Sequence, residues 1–165
     1  MSYQIAKTFT NILSGIAVLV VYLICVSSRY QAGLLAMDEL QSWAQIMLMF
    51  IGIGIAVAIV VQIIFHILFS IGMAVNQGIK NGNCNEQDLE KTIKMEMVED
   101  EMGKLIELKS MRVSYIFVGV GFVASLALLF FDYPAFIALN ILFTSFFTGG
   151  ILDGFAQLYY YKRGV

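Results

Sequence analysis

Three side chains that carry or can acquire charge lie inside or at the edge of long apolar runs: His66, Arg112 and Asp153. An ionisable group in lipid is costly to keep, so each is a candidate for proton or ion handling, or for pairing with an opposite charge. Gln62 precedes His66 by one helical turn and shares its face, and Asn140, Thr144 and Thr148 repeat at a spacing of four. At 1.5 Å per residue Asp153 stands about 28 Å along its run from Pro134, close to the level at which Arg112 opens another run. These positions predict an intramembrane polar cluster of Gln62, His66, Arg112 and Asp153, with Asp153 and Arg112 paired and His66 adjacent. The competing expectation is that each group reaches headgroup water independently. The polar stripes, Gln62 and His66 on one helix and Asn140, Thr144 and Thr148 on another, either line a hydrated path or hydrogen-bond helix to helix; the second use is the commoner.

Other chemistries lack their residues. One histidine cannot furnish a His-rich metal site or bis-histidine haem ligation, and the two cysteines, Cys25 and Cys84, are too far apart in sequence for a zinc knuckle or CxxC pair. There is no P-loop, no G-x-S-x-G, no H-E-x-x-H and no glycine-rich dinucleotide turn. No catalytic residue, cofactor or metal is expected. A net charge of −2 offers no positive field for phosphate backbones, so direct nucleic-acid binding is not expected either.

The elements that must position the polar groups follow from composition. Of 165 residues 59% are hydrophobic and 13% charged, and the mean hydropathy is +0.81, which excludes an ordinary soluble globule. A bilayer core of roughly 30 Å asks for about 20 helical residues, because every backbone polar group must be paired within its segment. The expected fold is all-α, a polytopic integral membrane protein forming a single membrane domain over 1–165. Its four spans are placed at about 11–28, 44–75, 112–131 and 134–160, with a cytoplasmic helical segment at 76–111. The first span reads as a retained signal anchor. The second is long enough to tilt or to project into water. Only Asp132, Tyr133 and Pro134 separate the last two, which predicts a helical hairpin.

Four spans put both termini and the central segment on one side. That side holds nine of the ten Lys and Arg residues, and Arg29 alone faces the other. The positive-inside rule then predicts an inner (cytoplasmic) membrane protein with both termini cytoplasmic. Trp43 and Tyr133 are expected at the outer interface, and Tyr159, Tyr160 and Tyr161 at the inner one.

Eight of the twelve acidic residues fall between Asn76 and Met111. Asn81-Gly82-Asn83-Cys84-Asn85 reads as a turn, and Asn85 as the cap of an amphipathic helix. Leu89, Ile93, Met97 and Met102 supply apolar positions; Glu90 and Asp100 pair with lysines four residues on. This helix either packs its stripe on the projecting end of span two or docks a cytoplasmic partner. Eight acids make an anionic lipid surface a poor partner.

The run Asp100-Glu101-Met102-Gly103-Lys104-Leu105-Ile106-Glu107-Leu108-Lys109-Ser110-Met111-Arg112, followed by Tyr115, resembles a motif of uncharacterised small four-span prokaryotic membrane proteins, D-E-R-D-x-x-I-E-x-K-x-x-R-x-x-Y. The matching residues are Asp100, Glu101, Ile106, Glu107, Lys109, Arg112 and Tyr115. Met102 and Gly103 stand where the motif has Arg and Asp. The resemblance implies the same four-helix layout, and a regulatory partner, since the genes of such proteins often adjoin helix-turn-helix regulators.

Together these features lead to an expected role as a non-catalytic membrane scaffold or regulatory subunit. It would act as a homo-oligomer or in a heteromeric membrane complex, with a cytoplasmic regulatory protein as a candidate partner. The alternative is a small oligomeric transporter or channel using Gln62, His66, Thr144, Thr148 and Asp153.

Overall fold

A computed structural model of the chain describes residues 3–33, 35, 39–81 and 101–163. These form four α-helices: α1 (Tyr3–Gln31), α2 (Leu40–Asn81), α3 (Glu101–Phe130) and α4 (Ala135–Arg163). Each is long and apolar enough to cross a membrane. The 29 residues of α1 and of α4 extend about 44 Å, and the 42 of α2 about 63 Å, against a hydrocarbon core of about 30 Å.

Every helix outruns its most apolar stretch. α1 starts at Tyr3, well before the expected boundary at residue 11, because polar side chains in its first turns are satisfied within the fold. Thr10 Oγ1 donates back to the Ala6 carbonyl at 2.9 Å, Thr8 is buried, and the Tyr3 ring packs on Phe65 and Phe69 of α2. Hydropathy sees only the polar atoms there, not their partners. The described part of the expected amphipathic helix, from Glu101 on, is the opening of α3 and not a separate element.

Two helix ends are closed by left-handed residues. Gly33 (φ 70°) follows α1, its N–H donating to the Tyr30 carbonyl. After α3 the same place is taken by Asp132 at φ 57°. There Tyr133 N–H donates to the Leu128 carbonyl and Asp132 N–H to that of Leu129, the bond pair of a Schellman cap. Aspartate tolerates this region, whereas a β-branched side chain does not. Asp132→Val is therefore expected to lower stability by about 1–2 kcal/mol and Asp132→Gly to leave it unchanged or slightly raised. Unfolding in a graded SDS–detergent mixture measures both; equal stability of the valine and glycine variants would show that the cap does not hold the hairpin.

The helices pack in the order α2–α1–α4–α3, with α2 touching α4 only slightly. Thus α1 and α4 are central, and α2 and α3 flank them. The closest approach is between α3 and α4. On α3, Gly103, Ile106, Ser110, Gly121 and Ser125 are buried at helical spacing; on α4, Ala138, Ser145 and Gly149 are. A methyl group built on Gly121 would collide with the Ser145 side chain, and one on Gly149 would come within 2.9 Å of Val118 Cγ2 and 3.1 Å of Ser114 Oγ. The buried hydroxyls donate within their own helices, Ser125 Oγ to the Gly121 carbonyl and Ser145 Oγ to that of Ile141, so they need no cross-helix acceptor. Such seams let backbones approach where lipid provides no hydrophobic drive. Between α1 and α4 the equivalent contact is Gly154 against Ile12.

The largest apolar cluster joins the C-terminal half of α1 to the N-terminal parts of α2 and α4. It contains Val18, Tyr22, Leu35, Trp43, Ile46, Met47, Phe50 and Phe143. Trp43, expected at the outer interface, is 2% exposed. Its ring stacks on Phe136 at 4.9 Å, because the turn after α1 folds Leu35 into the same cluster.

At the opposite end α2 overruns its neighbours. Tyr3, at the start of α1, lies against His66, and α2 continues to Asn81, about 22 Å farther. Lys109 of α3 sits 6.0 Å from the Tyr160 ring near the end of α4, and Gly103 and Ile106 in the turns before it are still buried.

Candidate functional site

A groove of about 500 Å³ opens between α1, α2 and α4. Its apolar part is walled by Val18, Ile51, Gly54, Val57, Phe146, Phe147 and Ile151, and its polar part by Thr8, Asn11, Gln62, Asp153 and Gln157. The polar residues gather towards the N-terminus of α1 and the C-terminus of α4, which run antiparallel. Gly54 lets Phe147 approach to 3.6 Å from a methyl built on it, so α2 and α4 close one end.

A hydrogen-bonded chain crosses the polar part. Thr8 Oγ1 donates to Gln157 Oε1 at 3.1 Å, and Gln157 Nε2 donates to Asp153 Oδ2 at 3.1 Å. Both functions of the Gln157 amide are thereby used, and they fix its orientation. The other carboxyl oxygen, Asp153 Oδ1, is buried without a hydrogen-bond partner. No basic residue lines this groove among the described residues.

The structure therefore brings together two of the four residues expected to cluster, Gln62 and Asp153. Arg112 is exposed on the far flank, on α3, and Asp153 takes its hydrogen bond from Gln157 instead. Arg112 belongs to α3, which packs on α4 and does not reach the groove, whereas Asp153 lines the groove that α4 makes with α1 and α2. His66 meets Tyr3, whose hydroxyl lies 2.9 Å from Nδ1 and 3.0 Å from Nε2; whichever ring nitrogen lacks a hydrogen accepts from it. Thr8, Asn11 and Gln157 were not singled out by sequence. The spacing of Asp153 and Gln157, one turn apart on α4, was the legible signal for the last of them.

In the Asn140, Thr144, Thr148 stripe, Asn140 and Thr144 join and satisfy helices. Asn140 Oδ1 accepts from the Tyr22 hydroxyl of α1 at 2.6 Å, its Nδ2 donates to the Phe136 carbonyl, and Thr144 Oγ1 donates to the Asn140 carbonyl. Asn140 and Thr144 line a second cavity of about 370 Å³ with Trp43 and Tyr30, separate from the groove. Of the expected docking residues, Met102 is exposed on α3. Leu89, Glu90, Ile93, Met97 and Asp100 lie outside the described residues. Among the described residues no group of three His, Cys, Asp or Glu side chains is placed to hold a metal ion.

Four apolar helices of spanning length place this chain among multi-pass helical membrane proteins. Comparison with protein-family models, with curated proteins and with solved structures finds no match.

Proposed function

We propose that this is a non-catalytic scaffold or regulatory subunit of the cytoplasmic membrane, with both termini inside, that binds a partner protein through its membrane helices and the segment 76–112. The observation that carries this reading is the exposed apolar side of the first turns of α3. Met102, Leu105 and Leu108 are 40%, 56% and 63% exposed there, opposite the packed Gly103, Ile106 and Ser110. They stand among Glu101, Lys104, Glu107, Lys109 and Arg112. Apolar side chains exposed in a charged stretch outside the spans are the make-up of a docking face. The nine-to-one distribution of basic residues supports the orientation. The resemblance of the stretch from Asp100 to Tyr115 supports a regulatory partner.

The test is purification of the tagged full-length protein from its native membrane in mild detergent, with mass spectrometry and determination of the mass of the complex. A stoichiometric second protein is expected. It should be lost from a Leu105→Glu, Leu108→Glu double variant and from charge reversal at Glu90, Glu96 and Asp100, and kept in Asp153→Asn. A homogeneous homo-oligomer with nothing attached would sink this reading and favour a small oligomeric transporter or channel. The placement of Gln62 and Asp153 in one groove is the observation on that side.

A further inference from the structure

Asp153 is the one ionisable side chain among the described residues lining the α1–α2–α4 groove. Gln157 satisfies Oδ2, but Oδ1 is buried with neither a donor nor a cation beside it. A carboxylate oxygen withdrawn from water without compensation is costly, and an adjacent positive charge offsets that cost. The one nearby histidine, His66, is engaged with Tyr3.

We infer that the groove is a binding site for an amphipathic organic cation, its charge against the Asp153 carboxylate and its apolar body among Val18, Gly54, Phe147 and Ile151. Three features select that chemistry. The volume, about 500 Å³, is that of a site for a small organic molecule, and most of its wall is apolar. Phe146 and Phe147 add aromatic side chains to that wall, to which a diffuse positive charge is attracted. Finally, among the described residues the lining holds no Lys, Arg or His. An anionic or zwitterionic lipid headgroup would bring a phosphate with nothing to receive it. An inorganic cation wants several oxygens at close range. The Thr8 and Gln157 oxygens beside Asp153 are already joined to each other, and such an ion would leave the apolar volume unused.

This inference is independent of the docking face on α3, and its test uses no partner protein. The full-length protein, reconstituted in phosphatidylcholine nanodiscs, is titrated with tetraphenylphosphonium and, separately, with tetraphenylborate, which has nearly the same shape and the opposite charge. Saturable binding of the cation at one per chain is expected, with no saturable binding of the anion. Asp153→Asn should weaken cation binding tenfold or more and Asp153→Glu should retain it. A methyl on Gly150 meets nothing within 4 Å, so Gly150→Phe adds a ring in the groove with Asp153 intact and should also abolish binding. Equal affinity for the two ions, or a cation affinity unchanged in Asp153→Asn, would overturn the assignment. Should Asp153→Asn not fold, Gly150→Phe decides alone: undiminished binding there overturns it.

Discussion

Gly121→Ala is expected to destabilise the α3–α4 hairpin by about 1–3 kcal/mol, a large effect for one methyl group. The added Cβ would occupy the space of the Ser145 side chain, and both residues belong to helices whose backbones are already in close approach. Neither side chain is long enough to swing away. Relief must come from separating the helices, which would also loosen Gly149 from Ser114 and Val118. The partner substitution provides the check. Ser145→Gly alone should cost little beyond the glycine penalty of about 1 kcal/mol in a helix. In the double variant it should recover more than half of the loss from Gly121→Ala. Unfolding free energies from SDS titration of the four proteins give the coupling directly. Strict additivity would mean that the two residues do not meet.

The second large effect is at Tyr22, which is 1% exposed and ties three helices together. Its ring packs edge-on against Phe50 of α2 at 5.2 Å and tilted against Phe143 of α4 at 4.4 Å, while its hydroxyl donates to Asn140. Tyr22→Ala removes the ring from the centre of the cluster and is expected to cost about 3–5 kcal/mol. Tyr22→Phe keeps the ring, deletes the hydroxyl and leaves Asn140 Oδ1 without its donor. Interhelical hydrogen bonds in membrane proteins are worth about 0.6 kcal/mol on average and at most about 1.7, so this variant should lose no more than about that. The same SDS titration distinguishes packing from hydrogen bonding. A phenylalanine variant as unstable as the alanine one would assign the stability to the bond.

These two positions show unequal legibility in the sequence. Gly121 and Ser125 have the small-x-x-x-small spacing that marks close helix contact, and they are at such a contact. Gly52 and Ala56 have it too, yet a methyl on Gly52 meets nothing. Spacing identifies a helix face that permits close approach, not the helix that makes it. Tyr22 carries no such mark, since one tyrosine in an apolar run has the same local pattern whether it faces lipid or a neighbour.

What the sequence determined by itself was the set of four helices, their apolar character and the tight reversal at Asp132–Pro134. These depend on interactions within a segment: backbone hydrogen bonds, hydropathy and turn chemistry. The lateral order α2–α1–α4–α3 was decided by tertiary structure alone, because it depends on which small-residue faces fit together across segments far apart in the chain. That order moved Arg112 to a flank and left Asp153 beside Gln62, Thr8 and Gln157. The polar groups were legible from their residue types, but their partners were not, because hydrogen bonds such as that from Thr8 to Gln157 join residues nearly the whole chain apart.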